Sequence, residues 1–190
     1  MKATSDARKR LLEAADRLFY TEGVRAIGID RIIAESGVAK MTLYSHFRSK
    51  DELILAVLEY REEQFTNWFE GAMERHAHSG GDRVAALFAA LKEWFETPTF
   101  RGCAFINASV ELADAGHPGS VFAREQKDRF HASFIRLIEE SLGEAAAKLG
   151  PAVAVLIEGA IVMAVIEGSA RPADVARDAA LRLLKQPTEG

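Results

Sequence analysis

Cysteine is nearly absent from this chain. One residue, Cys103, stands among 190, which excludes an intramolecular disulfide framework. Long apolar runs are missing as well: the most apolar stretch, Ala152 to Val165, is interrupted by Glu158 and falls short of the ~20 residues that span a bilayer. The amino terminus carries charges through Arg17 with no continuous apolar run, so no signal peptide is expected, no membrane partner, and a cytoplasmic location. Catalytic signatures are lacking too. There is no Gly-rich phosphate loop, no H-E-x-x-H and no Glu-x-x-His pair on a helix, each of which a common enzyme class needs to place phosphate or metal. His76 and His78 are two apart, so they do not share a helix face, and no third ligand accompanies them. They read as a solvated helix end, and no metal or cofactor is expected.

What is present points to a folded helical protein. Hydrophobic residues make up 48% of the chain, enough to bury a core in one compact domain or two small ones. No alternation of apolar and polar residues persists between turn signals, so the expected class is all-α. Charge is unevenly spread: residues 1–50 hold ten Lys/Arg against six Asp/Glu, and residues 51–190 hold fourteen against twenty-two. A basic head on an acidic body steers the head toward a polyanion and keeps the body off it. Lys2, Arg8, Lys9 and Arg10 are placed to touch its flanking backbone.

The densest signal is Gly37 to Glu52, GVAKMTLYSHFRSKDE. Upstream, Ile29, Ile32 and Ile33 form one face of a two-turn helix that Gly37 ends in the left-handed conformation, with Val38 turned inward. From Lys40 to Phe47, Leu43 and Phe47 lie on one side at i and i+4, leaving Lys40, Thr42, Tyr44, Ser45 and His46 outside. Donors and a cation on that outer face suit phosphate oxygens and base edges in a major groove. Ser49-Lys50-Asp51-Glu52 is a capping box that starts the next helix beside Lys50. A lysine at a helix N-terminus is unfavourable unless an anion sits there, and DNA phosphate is such an anion.

Tyr44-x-His46-Phe47, followed by Ser49-Lys50-x-x-Leu53 and preceded by Gly37-Val38, resembles the DNA-binding domain of TetR-family transcriptional regulators. Leu11, Ala14, Ala15, Leu18, Phe19 and Gly23 resemble that family's first helix, so the likeness covers roughly residues 8–55. The resemblance implies a three-helix DNA-binding domain at 1–50, with its motif at about 29–48, followed by a helical ligand-binding and dimerisation domain at 51–190, about nine helices in all. It implies that Lys40 and Met41 read bases while Thr42, Tyr44, His46 and Lys50 lie near phosphates. Two positions depart from the family pattern. Ala39 stands where a capping serine is common, a loss of ~1 kcal/mol, and Gly28 stands where a phosphate-binding threonine is common, so that role is not carried over. Asp30, near the groove-facing start of the second helix, would repel phosphate or accept from a cytosine amine.

In the body, periodic apolar residues predict a long helix from Asp51 to His78, a break at Gly80-Gly81, and a second helix capped by Asp82. Further helices are expected at Cys103–Ala113, Gly119–Leu142, Ala152–Glu167 and Ala173–Lys185, with His117-Pro118 in a loop. Aromatics concentrate between Phe65 and Phe134, and most of them are core. The resemblance implies that some line an apolar inducer pocket, the candidates being Phe65, Trp68, Phe69, Trp94, Cys103, Asn107, Glu111 and Phe130. Cys103 opens a helix beside Arg101, which would favour its thiolate, but a buried cysteine is inert. Ala152 to Ser169 is apolar nearly all round and needs cover. In the family, the last two helices pair with their copies in a second subunit.

The expected function is therefore a homodimeric transcriptional regulator, a repressor released from a palindromic DNA operator by an apolar or aromatic small-molecule inducer. The alternatives are a small all-helical enzyme carrying a helix-turn-helix-like hairpin, and an activator or constitutive architectural DNA-binding protein.

Overall fold

The structure, a computed structural model, describes residues 2–78 and 82–185, and every regular element among them is an α-helix. In chain order these are α1 (Lys2–Glu22), α2 (Ile29–Ser36), α3 (Lys40–His46), α4 (Lys50–His78), α5 (Arg83–Phe95), α6 (Ala104–Leu112), α7 (Pro118–Leu142), α8 (Glu144–Ala147), α9 (Gly150–Glu167) and α10 (Arg171–Leu184). Ten helices are thus present among the described residues where nine were expected. The extra one, α8, is a single turn too short to show a periodic pattern in sequence. The expected break at Gly80-Gly81 lies outside the described residues.

Two compact units divide the chain. The first comprises Met1–Phe65 and Ala104–Gln126. Its α1 presents Leu11, Ala14, Ala15 and Leu18, a stripe at i, i+3, i+4 and i+7, and all four are buried. Helices α1, α2 and α3 pack on one another, and Ile32, Leu43, Phe47 and Leu53 are sealed within this unit at 2% exposure or less. A half-buried ion pair straps α1 to α4: the Arg61 guanidinium donates Nε to Asp16 Oδ1 at 2.5 Å and Nη2 to Asp16 Oδ2 at 2.8 Å. The same guanidinium lies 3.9 Å from the Tyr20 ring centroid, so a bidentate and a cation–π contact share one cation.

The second unit comprises Thr66–Cys103 and Lys127–Gly190. Asp82 caps α5, its Oδ1 accepting from the Val84 N–H at 2.9 Å, and α5 buries Val84, Leu87, Phe88, Leu91 and Phe95. Helix α10 packs against both α9 and α5. With 18 residues at a mean hydropathy of 1.9, α9 is long and apolar enough to cross a membrane by length and composition. One side of it, Val153, Ala154, Ile157, Ala160, Ile161 and Ala164, is buried in this unit.

Leu43 is fully enclosed and is one of the two apolar residues that hold the seven-residue α3. Leu43→Ala should lower the unfolding free energy of the full chain by about 2–5 kcal/mol. Urea denaturation followed by circular dichroism measures it, and a loss under about 1 kcal/mol would remove Leu43 as the anchor of α3.

Candidate nucleic-acid interface

The segment from Gly28 to Lys50 folds by local chemistry at each joint. Gly37 adopts φ 63° and ψ 23°, the left-handed cap, and its N–H donates to Ile33 O at 3.1 Å. Ser36 tightens the turn: its hydroxyl donates to Ile33 O and its Oγ accepts from the Val38 N–H, both at 3.3 Å. Val38 is buried, so the turn is pinned from inside. Helix α3 begins at Ala39, which holds an extended cap conformation (φ −62°, ψ 146°) with no side-chain hydrogen bond, as its methyl group requires. The Phe47 N–H closes the helix onto Leu43 O at 2.9 Å, and the Arg8 guanidinium lies 5.5 Å from the Phe47 ring centroid.

The start of α4 is capped from both directions. Ser49 Oγ accepts from the Glu52 N–H at 3.1 Å. The Glu52 carboxylate reaches back to the Arg48 N–H at 2.7 Å, one residue earlier than the Ser49 amide that a capping box commonly engages.

With Leu43 and Phe47 buried, the rest of α3 faces outward. Met41 is 87% exposed and Tyr44 44%, Lys40 and Ser45 are exposed, and Thr42, His46 and Lys50 are half-buried. An exposed methionine contributes nothing to a core, whereas its apolar surface suits a thymine methyl. The Ser45 hydroxyl donates to Thr42 O at 2.7 Å, so it is engaged within its own helix. His46 Nε2 is enclosed and takes no hydrogen bond among the described residues. Lys40 Nζ donates to Asp30 Oδ1 at 3.1 Å. That hydrogen bond, with the Asp30 charge, holds the Lys40 ammonium above the ordinary lysine range. Lys50 is shifted the other way: burial lowers it, and the nearby Asp51 and Glu111 carboxylates only partly offset this.

This geometry has counterparts among known proteins. Residues 11–57 match the family described as bacterial regulatory proteins, tetR family. A solved TetR-family transcriptional regulator from Streptomyces coelicolor is 30% identical, covers 95% of each chain and superposes with a TM-score of 0.80. The chain belongs to the TetR family of transcriptional regulators. Two curated relatives of this TetR-family protein carry the same class of name. The uncharacterized HTH-type transcriptional regulator YxaF of Bacillus subtilis is 26% identical over 179 residues, 90% of this chain and 92% of its own. The HTH-type transcriptional repressor NemR of Escherichia coli is 23% identical over 138 residues, 72% of this chain and 67% of its own. The chain is a DNA-binding transcriptional regulator, and the enzyme alternative falls away.

The eight candidate ligand residues of this TetR-family chain fall in different surroundings. In the second unit, Phe69 meets Phe130 edge-on at 5.8 Å and Phe130 meets Phe134 at 5.0 Å, with Trp68 beside Phe69 at 6.4 Å. Trp94 packs with Phe95 and Phe100, and Cys103 is buried. In the first unit, Phe65 is half-buried. Asn107 and Glu111 line a small cleft, partly open to solvent, with Asp16, Tyr20, Arg61 and apolar residues of α1 and α4.

Sequence reasoning missed a polar cluster in the second unit. Lys127 Nζ donates to both Glu158 oxygens at 2.8 and 3.1 Å, and His131 Nε2 lies 2.9 Å from Glu158 Oε1. Burial alone would lower the Lys127 ammonium, but neighbouring Cys103 and Glu158 outweigh it and hold it above the ordinary range. The available signal is Glu158 itself, a charge interrupting the apolar stretch Ala152 to Val165, which demands a partner.

Ala39 already has the backbone of a helix cap and lacks only the acceptor. Ala39→Ser should therefore stabilise the chain by about 1 kcal/mol, read as a shift in the urea midpoint at unchanged m-value. No shift would mean that the serine hydroxyl does not reach the α3 amides.

Proposed function

We propose that this chain is a homodimeric, cytoplasmic repressor whose residues 1–50 bind a palindromic DNA operator and whose residues 51–190 bind a small-molecule inducer and the second subunit. The carrying observation is the outward face of α3. Lys40 and Met41 read base edges, and Thr42, Tyr44 and Lys50 approach phosphates. The enclosed Nε2 of His46 leaves Nδ1 for that purpose. Lys40 is paired with Asp30, so Asp30→Asn should raise affinity for non-operator DNA at low salt, read by fluorescence anisotropy, because it removes a negative charge from the face that meets the polyanion.

The side of α9 that this chain does not cover supports the dimer. Val155 and Ile166 are 72% and 71% exposed, and Val162, Met163 and Val165 exceed 40%. A contiguous apolar strip of this kind marks an interaction surface. Gly159 on the same helix has nothing within 4 Å of where a Cβ would stand, so a second helix can approach closely there. A two-fold dimer through α9 and α10 would set the two recognition helices on successive major grooves ~34–36 Å apart. The aromatic group of Trp68, Phe69, Phe130 and Phe134 supports an apolar or aromatic inducer, and the repressor direction follows the name of NemR.

Selection of bound duplexes from a random pool by the purified full-length chain tests the reading. The expected product is a palindrome, and Tyr44→Ala should weaken binding to it by about tenfold or more. Val155→Asp with Ile166→Asp should yield a monomer by light scattering that binds the palindrome only weakly. Failure to enrich any sequence, or enrichment by a protein that is already monomeric, would overturn the proposal. Enrichment of bent DNA without a consensus would favour the architectural alternative.

A further inference from the structure

The turn between α1 and α2 carries the chain from the first helix into the DNA-reading pair, and one distant side chain reaches it. Gly23 ends α1, its N–H donating to Phe19 O at 3.0 Å, with a φ of 95° that disfavours any side chain. Val24 and Ile27 are buried and seat the turn. Between them, the Arg25 N–H donates to Oε2 of Glu111 at 3.2 Å, across 86 residues of chain. Glu111 lies on α6, and its carboxylate presses so closely on the turn that a Cβ at Gly23 would stand 2.6 Å from Oε2. Glycine at 23 thus serves two needs, the positive φ and room for Glu111. The same carboxylate lies near Lys50 at the start of α4. One acid therefore bonds the entry to α2 and favours the charged form of Lys50 at the start of the helix that follows α3.

We propose that Glu111 is a positioning residue for DNA binding: its carboxylate, carried on α6, clasps the Gly23–Arg25 turn and holds α2 and α3 in the orientation that the major groove requires. This rests on the reading of residues 29–50 as the DNA-contacting element. Two variants separate the clasp from simple charge. Glu111→Ala removes both the charge and the acceptor, whereas Glu111→Gln removes the charge and keeps an oxygen for the Arg25 N–H.

Hydrogen exchange of the Arg25 amide, followed by NMR on the full chain, reads the clasp without DNA. Glu111→Ala should speed it about tenfold, and Glu111→Gln should recover at least half of the lost protection on a logarithmic scale. Fluorescence anisotropy on the duplex selected by the wild-type protein reads the consequence. Glu111→Ala should weaken binding about three- to tenfold at unchanged salt slope, with Glu111→Gln recovering most of the loss. Electrostatics alone gives the opposite sign, since removing a negative charge near DNA tightens binding in both variants equally. An Arg25 amide indifferent to Glu111→Ala, or two variants that bind DNA alike, would overturn the clasp. If no duplex is selected, the DNA-contacting reading fails while the exchange measurement still decides the clasp.

Discussion

Everything this molecule presents outward at its amino-terminal end depends on burying Leu43 and Phe47. A helix of seven residues has no independent stability in water, because its few hydrogen bonds do not offset the cost of nucleation. Helix α3 lacks even a side-chain cap at Ala39. What keeps it helical is tertiary: α3 packs on α1 and α2, with Leu43 at 0% and Phe47 at 2% exposure. Two apolar residues one turn apart fix the rotation of the helix about its axis, and that rotation sends Lys40, Met41 and Tyr44 outward. Their exposure follows from the core on the opposite side, without any interaction of their own.

Electrostatics then acts on a surface already shaped by packing. The excess of basic residues in the head is modest, and much of it is paired in the free protein: Lys9 with Glu13, Arg10 with Asp6, Arg17 with Glu35, Lys40 with Asp30. These pairs are solvent-exposed, and exposed pairs are weak and salt-screened. A phosphate displaces such an acid at little cost, so the pairs hold long side chains near the surface without committing them. Lys50 differs, because burial already disfavours its charged form and an arriving phosphate gives that charge a partner.

How much of this was legible in the sequence divides along contact distance. The Gly37 turn, the Ser49 cap and the seam of Leu43 and Phe47 are local, and local rules reach them. The spans of α2, α3 and α4 followed within a residue or so of their expected bounds, because periodicity and capping act over single turns. The Asp16–Arg61 strap, the Arg8–Phe47 stack and the Glu111–Arg25 hydrogen bond join residues 45, 39 and 86 apart. Nothing in the residues between them encodes such a meeting. Glu111 was picked out as a polar group of an inducer pocket, and its type and half-burial are consistent with that. Only the fold shows its carboxylate directed to a backbone amide in the first unit.

Helix α9 shows the same division of labour in the body. Glu158, the acid within its apolar span, is taken up by Lys127 and His131 of α7. A half-buried pair of this kind contributes little net stability, because desolvation offsets attraction, but a misplaced register would leave its charges unpaired at high cost. The network therefore acts as a register pin between α7 and α9, which apolar packing alone would leave free to slide. It also draws the only charge within the apolar span of α9 toward the chain's own interior. Beside Glu158, Val155, Val162, Met163 and Ile166 stay exposed, and Glu167 at the end of the helix is paired with Arg171. In the proposed dimer that exposed strip meets its own copy across a two-fold axis, where an unpaired carboxylate would face its twin and repel it. Pairing Glu158 with Lys127 and His131 serves the fold of one subunit and neutralises a charge that would otherwise oppose joining two.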